Sequence, residues 1–236
     1  MDDGLLQEQL AYYRARAGEY DEWFLREGRH DRGPEWNRRW FSELKRVRRE
    51  LNRFRPKGEV LELACGTGLW TVELAHHATG ITAVDASPEV LDINRARLRE
   101  SRDGPPVRYV LADLFDWSPE KVYDVVFFGF WLSHVPPEQF AAFWELVLSA
   151  IRPGGRVFFV DSLGLEAPAE KRRTPRDHTM LRRLNDGREF RIVKIFYDPF
   201  DLKARLADMG WRFSLRTTEN HLLYGFGEPH SAVHKA

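Results

Sequence analysis

Val60-Leu61-Glu62-Leu63-Ala64-Cys65-Gly66-Thr67-Gly68 is a short apolar run that ends in a turn built on two glycines. The run has the length and composition of a buried strand, and the residues that follow, Leu69–Ala78, are spaced as a helix. Glycine admits dihedrals that other residues avoid and lets the backbone approach a ligand closely. The amides of the following helix N-terminus have no intrahelical partners. A dinucleotide-binding loop would read G-x-G-x-x-G and would seat a pyrophosphate on that helix. Here Thr71 stands where the third glycine belongs, and Glu62 would repel a pyrophosphate. Both features argue against a nucleotide-dependent dehydrogenase.

Outward from the turn, strand and helix keep alternating. Ile81–Val84, Val107–Leu111, Val122–Phe128 and Arg156–Val160 read as strands. Ser87-Pro88-Glu89-Val90 opens a helix, with serine as cap and proline at the first position. Pro136–Ile151 is a helix that Pro153-Gly154-Gly155 ends. Strands this apolar, separated by helices, imply a parallel sheet covered on both faces. After a helix over Asp201–Met209, the strands Trp211–Thr217 and His221–Phe226 are linked only by Thr218, Glu219 and Asn220, which makes them antiparallel neighbours. Residues 1–55 are expected to form an N-terminal helical lid, with one helix over Leu5–Arg26 and a second opened by Pro34. Residues 56–236 form the main domain, interrupted over 162–196 by an irregular cap insertion in which Phe190–Phe196 adds an edge strand. The expected fold is α/β: a seven-stranded, mostly parallel Rossmann-like sheet with an antiparallel last strand, helices on both faces and the N-terminal helical extension.

Four motifs stand in order on this framework. The Glu62–Gly68 stretch resembles motif I of class I S-adenosylmethionine-dependent methyltransferases. Asp85 ends the second strand, where an acid can accept both ribose hydroxyls of an adenosine. Asp113-Leu114, after the third strand, resembles the acid-plus-apolar pair that reads the adenine edge in this family, and Arg152-Pro153-Gly154-Gly155-Arg156-Val157 resembles the family's LKPGG turn. One departure is Ala64, which takes the place of the first glycine in the family's G-x-G-x-G. Arg16-Ala17-Gly18-Glu19-Tyr20-Asp21 resembles the RA-x-x-YD helix that precedes the core in many small-molecule methyltransferases.

The resemblance implies S-adenosylmethionine as cofactor, surrounded by Tyr13, Tyr20, Glu62, Ala64, Cys65, Gly66, Gly68, Asp85, Ala86, Asp113, Leu114 and Phe130. Glu62 would serve the methionine ammonium, directly or through water. Tyr13 and Tyr20 share a helix face; they either contact the methionine carboxylate and wall off the acceptor, or glue the helix to the core. Cys65 sits where a small side chain is needed and reads as inert packing. The implied activity is methyl transfer to oxygen or nitrogen of a small-molecule acceptor by in-line displacement. An RNA or protein methyltransferase and a non-catalytic S-adenosylmethionine-binding protein are the alternatives.

In an open α/β sheet, ligands sit beyond the carboxyl ends of the strands. That edge offers Gly129–Val135, Asp161, Ser162 and His221 for the acceptor. His134 is the expected catalytic residue, because an imidazole can take a proton near neutral pH when the acceptor is protonated. Its other reading is a helix-entry residue bonding backbone near Pro136. His76 and His77 read as a solvated helix end, and His178 would reach the site only from a lid.

The 36 basic and 36 acidic residues cancel, so the chain lacks the global basic footprint of a nucleic-acid binder. Its basic runs, Lys45–Arg55 and Lys171–Arg191, read as solvated faces. One cysteine excludes an intrachain disulfide and a cysteine zinc site, and no metal is expected. No apolar signal core or membrane-length apolar stretch is present, so a cytoplasmic enzyme with a small-molecule partner is expected, with neither membrane nor nucleic acid.

Overall fold

The glycine turn lies at the middle of a seven-stranded sheet in the computed structural model, which describes residues 3–100, 104–164 and 178–230. Its strands are β1 (Gly58–Leu63), β2 (Ala78–Asp85), β3 (Val107–Leu111), β4 (Tyr123–Gly129), β5 (Ile151–Ser162), β8 (Trp211–Thr217) and β9 (Leu222–Pro229). Their order is β3-β2-β1-β4-β5-β9-β8. The pairs among β1 to β5 are parallel, and β9 runs antiparallel to both β5 and β8. The chain therefore winds outward from β1 to β3 and returns to start β4 on β1's other side. That reversal opens a crevice between the tips of β1 and β4, the position where such sheets bind ligands.

Alternation along the strands decides the two layers. Val60, Phe127 and Phe158 face helices α3 (Pro34–Phe54), α4 (Thr71–Ala75) and α5 (Pro88–Glu100). Their chain neighbours Leu61, Phe128 and Phe159 face α6 (Phe140–Ala150) and α7 (Pro199–Asp208). Successive side chains on a strand point to opposite faces, so a strand buried on both sides must be apolar throughout. Trp144 of α6 is fully buried, with its ring 5.2 Å from Trp211 and 5.4 Å from Phe213. It thereby joins the parallel strands to the terminal hairpin.

The N-terminal region departs from the expected single helix. It forms α1 (Asp3–Ala15), a 3₁₀ turn over Ala17–Glu19 and α2 (Tyr20–Leu25), which ends on Arg26 in the left-handed conformation at φ 59°. The chain bends at Arg16–Gly18, where glycine weakens a helix interior. Nor do residues 1–55 act as one lid. Among their described residues only α1 and Tyr20 line the crevice, while α3 buries Trp40, Leu44, Val47 and Leu51 in the sheet's core.

The expected edge strand over Phe190–Phe196 is also corrected. β6 (Thr179–Arg183) and β7 (Glu189–Val193) pair antiparallel as a separate two-stranded sheet, never joining the main one. Its partner is instead α1: Arg191 N donates to Glu8 Oε1 at 2.5 Å and Val193 N donates to Gln9 Oε1 at 2.9 Å. Residues 165–177 of the insertion, and with them part of the Lys171–Arg191 run, lie outside the described residues.

One carboxylate clamps α3 to the terminal hairpin. Glu43, 8% exposed, accepts from the Thr218 hydroxyl, from Asn220 N at 3.1 Å and Nδ2 at 2.8 Å, and from His221 N at 2.9 Å. Glu43→Ala strands these donors, and a buried donor that loses a charged partner costs about 1–3 kcal/mol. We expect it to lower the unfolding free energy by about 3 kcal/mol in urea titrations.

Candidate functional site

The β1 turn is held open by its neighbour strand. Ala64, Gly66 and Gly68 all have positive φ, at 51°, 56° and 89°. For Ala64 this is an uncommon left-handed conformation, which a methyl side chain tolerates at some cost. Asp85 at the tip of β2 accepts the Gly66 amide at 3.0 Å through Oδ2 and the Ser87 amide at 3.1 Å through Oδ1. Asn94 of α5 backs the turn, donating through Nδ2 to Gly66 O at 3.2 Å and to Thr71 Oγ1 at 2.9 Å. A Cβ at Gly68 would stand 2.7 Å from Asn94 Oδ1, which explains the glycine. On the outer side, Thr67 Oγ1 donates to Asp21 Oδ1 at 2.5 Å, and Arg97 bridges Asp21 to the Thr67 carbonyl. α2 is thereby pinned to the turn.

Around this turn lies a cleft of about 800 Å³, part of it open to solvent. Ala64 and Gly66 line it from β1, Asp85, Ala86 and Ser87 from β2, Asp113, Leu114 and Phe115 from β3. β4 contributes Gly129, Phe130, Trp131 and His134, while Leu6, Gln9, Leu10, Tyr13 and Tyr20 cover it. Of the residues expected at the site, Glu62 and Cys65 line a smaller adjoining space with Phe24 and Trp70, and Gly68 lines neither. His221 stands apart, fully buried between Trp36 and Trp40, with ring centroids at 4.9 and 5.6 Å. Asn94 was missed from sequence, and Gly129 was expected only as the first residue of the acceptor edge Gly129–Val135. A Cβ at Gly129 would meet Trp70 Cδ1 at 2.8 Å, and the only local signal was a glycine at a strand end.

Burial governs the site's proton chemistry. Glu62 is pushed up to about 8 by burial, against a hydrogen bond from Thr71. Its Oε2 is buried with no hydrogen-bond partner among the described residues. Burial also raises Asp85, raises Tyr13 well above its usual value and takes Tyr20 to about 12, so both phenols stay protonated as donors. The Cys65 thiol, 5% exposed and pushed well up by burial, is unreactive.

His134 is buried at the covered end. Its Nδ1 lies 2.7 Å from the Val193 carbonyl oxygen, which can only accept, so Nδ1 carries the proton. Nε2, 2.9 Å from the Tyr13 hydroxyl, is then the acceptor. Burial first, and then the positive charge of Lys194, hold the imidazole well below its ordinary value. It therefore stays neutral at physiological pH.

The methyltransferase-domain family matches residues 60–155. The chain is 32% identical over 115 residues to carboxy-S-adenosyl-L-methionine synthase of Aeromonas hydrophila, covering 47% of this chain and 46% of that protein. It is 32% identical over 109 residues to ubiquinone biosynthesis O-methyltransferase of Xanthomonas axonopodis, covering 45% of this chain and 44% of that protein. The chain thus spans about half the length of the curated relatives it matches. Among solved structures, the DhpI–SAH complex superposes with a TM-score of 0.77 at 40% identity, covering 98% of this chain and 99% of that one.

Glu62 makes stability depend on pH in a fixed direction. A carboxyl raised on folding binds more protons in the folded than in the unfolded chain, so its contribution is lost as pH climbs from about 4.5 to about 8. Without ligand, the stability difference between Glu62→Gln and wild type should shift in favour of the variant across that window. Unfolding titrations at stepped pH will show this as a flatter profile for the variant.

Proposed function

The chain belongs to the class I S-adenosylmethionine-dependent methyltransferases, and from that premise we propose that it methylates oxygen or nitrogen of a small-molecule acceptor, held between its strand tips and α1. One observation carries the reading: the strand-tip carboxylates Asp85 and Asp113 line one cleft, largely apolar and aromatic elsewhere, and Glu62 lines a smaller space adjoining it. An acceptor enclosed there must be small. A bulky protein or RNA segment would have to displace α1 and the β6–β7 hairpin.

The residues fit the cofactor. Glu62 Oε2, buried without a partner, suits a cationic amine. Asp85 accepts the Gly66 and Ser87 amides on different oxygens, and a carboxylate has about four acceptor sites, so it can also meet a ribose diol. Asp113, Leu114 and Phe115 offer an acceptor between apolar surfaces, as an adenine edge requires. When bound, S-adenosylmethionine supplies a methyl group already activated on a sulfonium.

The chain's own contribution is then positioning, which can supply most of the rate when the leaving group is already activated. Phe130 and Trp131 exclude water from the β4 tip, and Trp23 packs edge-on to Phe130 at 5.0 Å. Tyr20 and Tyr13 present protonated hydroxyls toward the cavity. His134, neutral with Nε2 as acceptor, can draw the Tyr13 proton as Tyr13 oxygen takes one from a protonated acceptor. Nδ1 bonded to Val193 and Gln9 Nε2 donating to the His134 carbonyl at 3.2 Å fix the ring for that task.

Calorimetry with S-adenosylhomocysteine tests the cofactor half. Binding is expected, NADH should not compete, and Asp85→Ala should weaken it by about 1–3 kcal/mol. Unchanged affinity in that variant would contradict the assignment. Turnover of labelled S-adenosylmethionine against a panel of small acceptors tests the rest. On an acceptor found that way, His134→Ala should lower kcat by about 10²-fold or more while S-adenosylhomocysteine affinity hardly moves.

A further inference from the structure

Asn94 of α5 is fully buried beneath the β1 turn, with both ends of its amide engaged. Nδ2 donates to Gly66 O at 3.2 Å and to Thr71 Oγ1 at 2.9 Å, while Oδ1 accepts the Tyr109 hydroxyl at 3.1 Å. The orientation of the amide follows from chemistry, because the Gly66 carbonyl can only accept and must meet the nitrogen.

That orientation fixes a direction further along. A threonine hydroxyl carries one hydrogen. Thr71 Oγ1 already receives an N–H from Asn94, so its own hydrogen is left for Glu62, to which Thr71 hydrogen-bonds. Oε2 of Glu62 has no hydrogen-bond partner among the described residues, so the Thr71 bond falls on Oε1. Tyr109, Asn94, Thr71 and Glu62 thus form one chain of donors pointing the same way. It runs from a half-buried phenol on β3, through α5 and α4, to a buried carboxyl on β1. Hydrogen bonds linked in this way strengthen one another. A donor on a carboxyl favours its charged form, and burial without that donor favours the neutral one. Only the charged form pairs with an ammonium.

We propose that Asn94 is a positioning residue for cofactor binding: acting through Thr71, it keeps Oε1 of Glu62 capped and Oε2 open to the ammonium of the cofactor's methionine moiety. The proposal rests on the methyltransferase reading above. Near neutral pH the empty carboxyl, pushed up to about 8, holds a proton that leaves to solvent when an ammonium pairs with Oε2. Nothing else in the step gains or loses a proton.

The test is calorimetry of S-adenosylhomocysteine binding to the full chain, run in two buffers of different ionisation heat so that affinity and proton release are read together. Among the described residues, the titratable groups facing Glu62 are Asp85 at the β2 tip, Cys65 in the turn, Tyr109 on β3 and Tyr20 on α2. Burial lifts the thiol well above its usual value and both phenols to about 12, and Asp85 is common to every variant. A pH-dependent difference between variants therefore reports Glu62. We expect Thr71→Val and Asn94→Leu to weaken binding about tenfold near neutral pH, with the deficit shrinking as pH rises past about 9. Thr71→Ser, which keeps the hydroxyl, should bind within about twofold of wild type. Tyr109→Phe, at a half-buried position, should weaken binding about two- to threefold in the same direction. Combining Asn94→Leu with Thr71→Val should cost little more than either alone, because both break one chain. Proton release should vanish in Glu62→Gln. Deficits equal at every pH, additive losses in the double variant, wild-type binding by Thr71→Val, or proton release that persists in Glu62→Gln each overturn the proposal, while normal binding by the wild type leaves the methyltransferase reading standing. If Asn94→Leu does not fold, Thr71→Val and Tyr109→Phe decide by the same pH criterion. Failure of the wild type to bind S-adenosylhomocysteine overturns the reading itself, and the proposal with it.

Discussion

The site depends on one carboxylate held between two strand tips. Asp85 accepts amides from the β1 turn and from the residues after β2, which fixes how far those tips stand apart. The turn can offer its Gly66 amide only because residues 64, 66 and 68 adopt left-handed dihedrals. At Gly68 nothing larger than hydrogen fits beneath Asn94, and Asn94 is in turn held by the Tyr109 hydroxyl at 3.1 Å. Strain in the turn, the buried asparagine and the burial that raises Asp85 are parts of one arrangement. It keeps backbone bare at a point where a ligand must approach it.

What was legible in the sequence follows from this. Strands buried on both faces must be apolar, so β1, β2, β4 and β5 announced themselves, and a link of Thr218, Glu219 and Asn220 allowed only a hairpin. The strand-tip acids were visible because they stand beside turns. What could not be read depended on partners distant in sequence. Gly129 is required by Trp70, Lys194 is placed by Ser133 and Ser162, and β7 pairs with α1 rather than the sheet edge. A single chain read locally also shows no reason for His221 to be buried between two tryptophans rather than turned toward the crevice.

The two halves of the site are made differently. Backbone and strand-tip carboxylates from residues 60–155, the stretch matched by the methyltransferase-domain family, form the floor of the cleft. Side chains of α1 and Tyr20, outside that stretch, cover it, with the β6–β7 hairpin packed behind α1. Backbone geometry tolerates little change, since each left-handed residue and close approach narrows the choice of side chain. The second half is side chains on a helix and a two-stranded ribbon, which can be exchanged without moving a strand.

The seam between α1 and β7 has a consequence for how the chain is made. Glu8 meets Arg191, and Gln9 meets Val193, across more than 180 positions of sequence. Ribosomes add about 5–20 residues per second, so α1 emerges roughly 10–40 s before the ribbon that receives it. A helix this short is marginal in water without tertiary contacts. Its apolar stripe must therefore wait while the sheet assembles, and it docks among the last elements. Until β7 is made, the crevice has its turn and its central strands but no roof to keep water out.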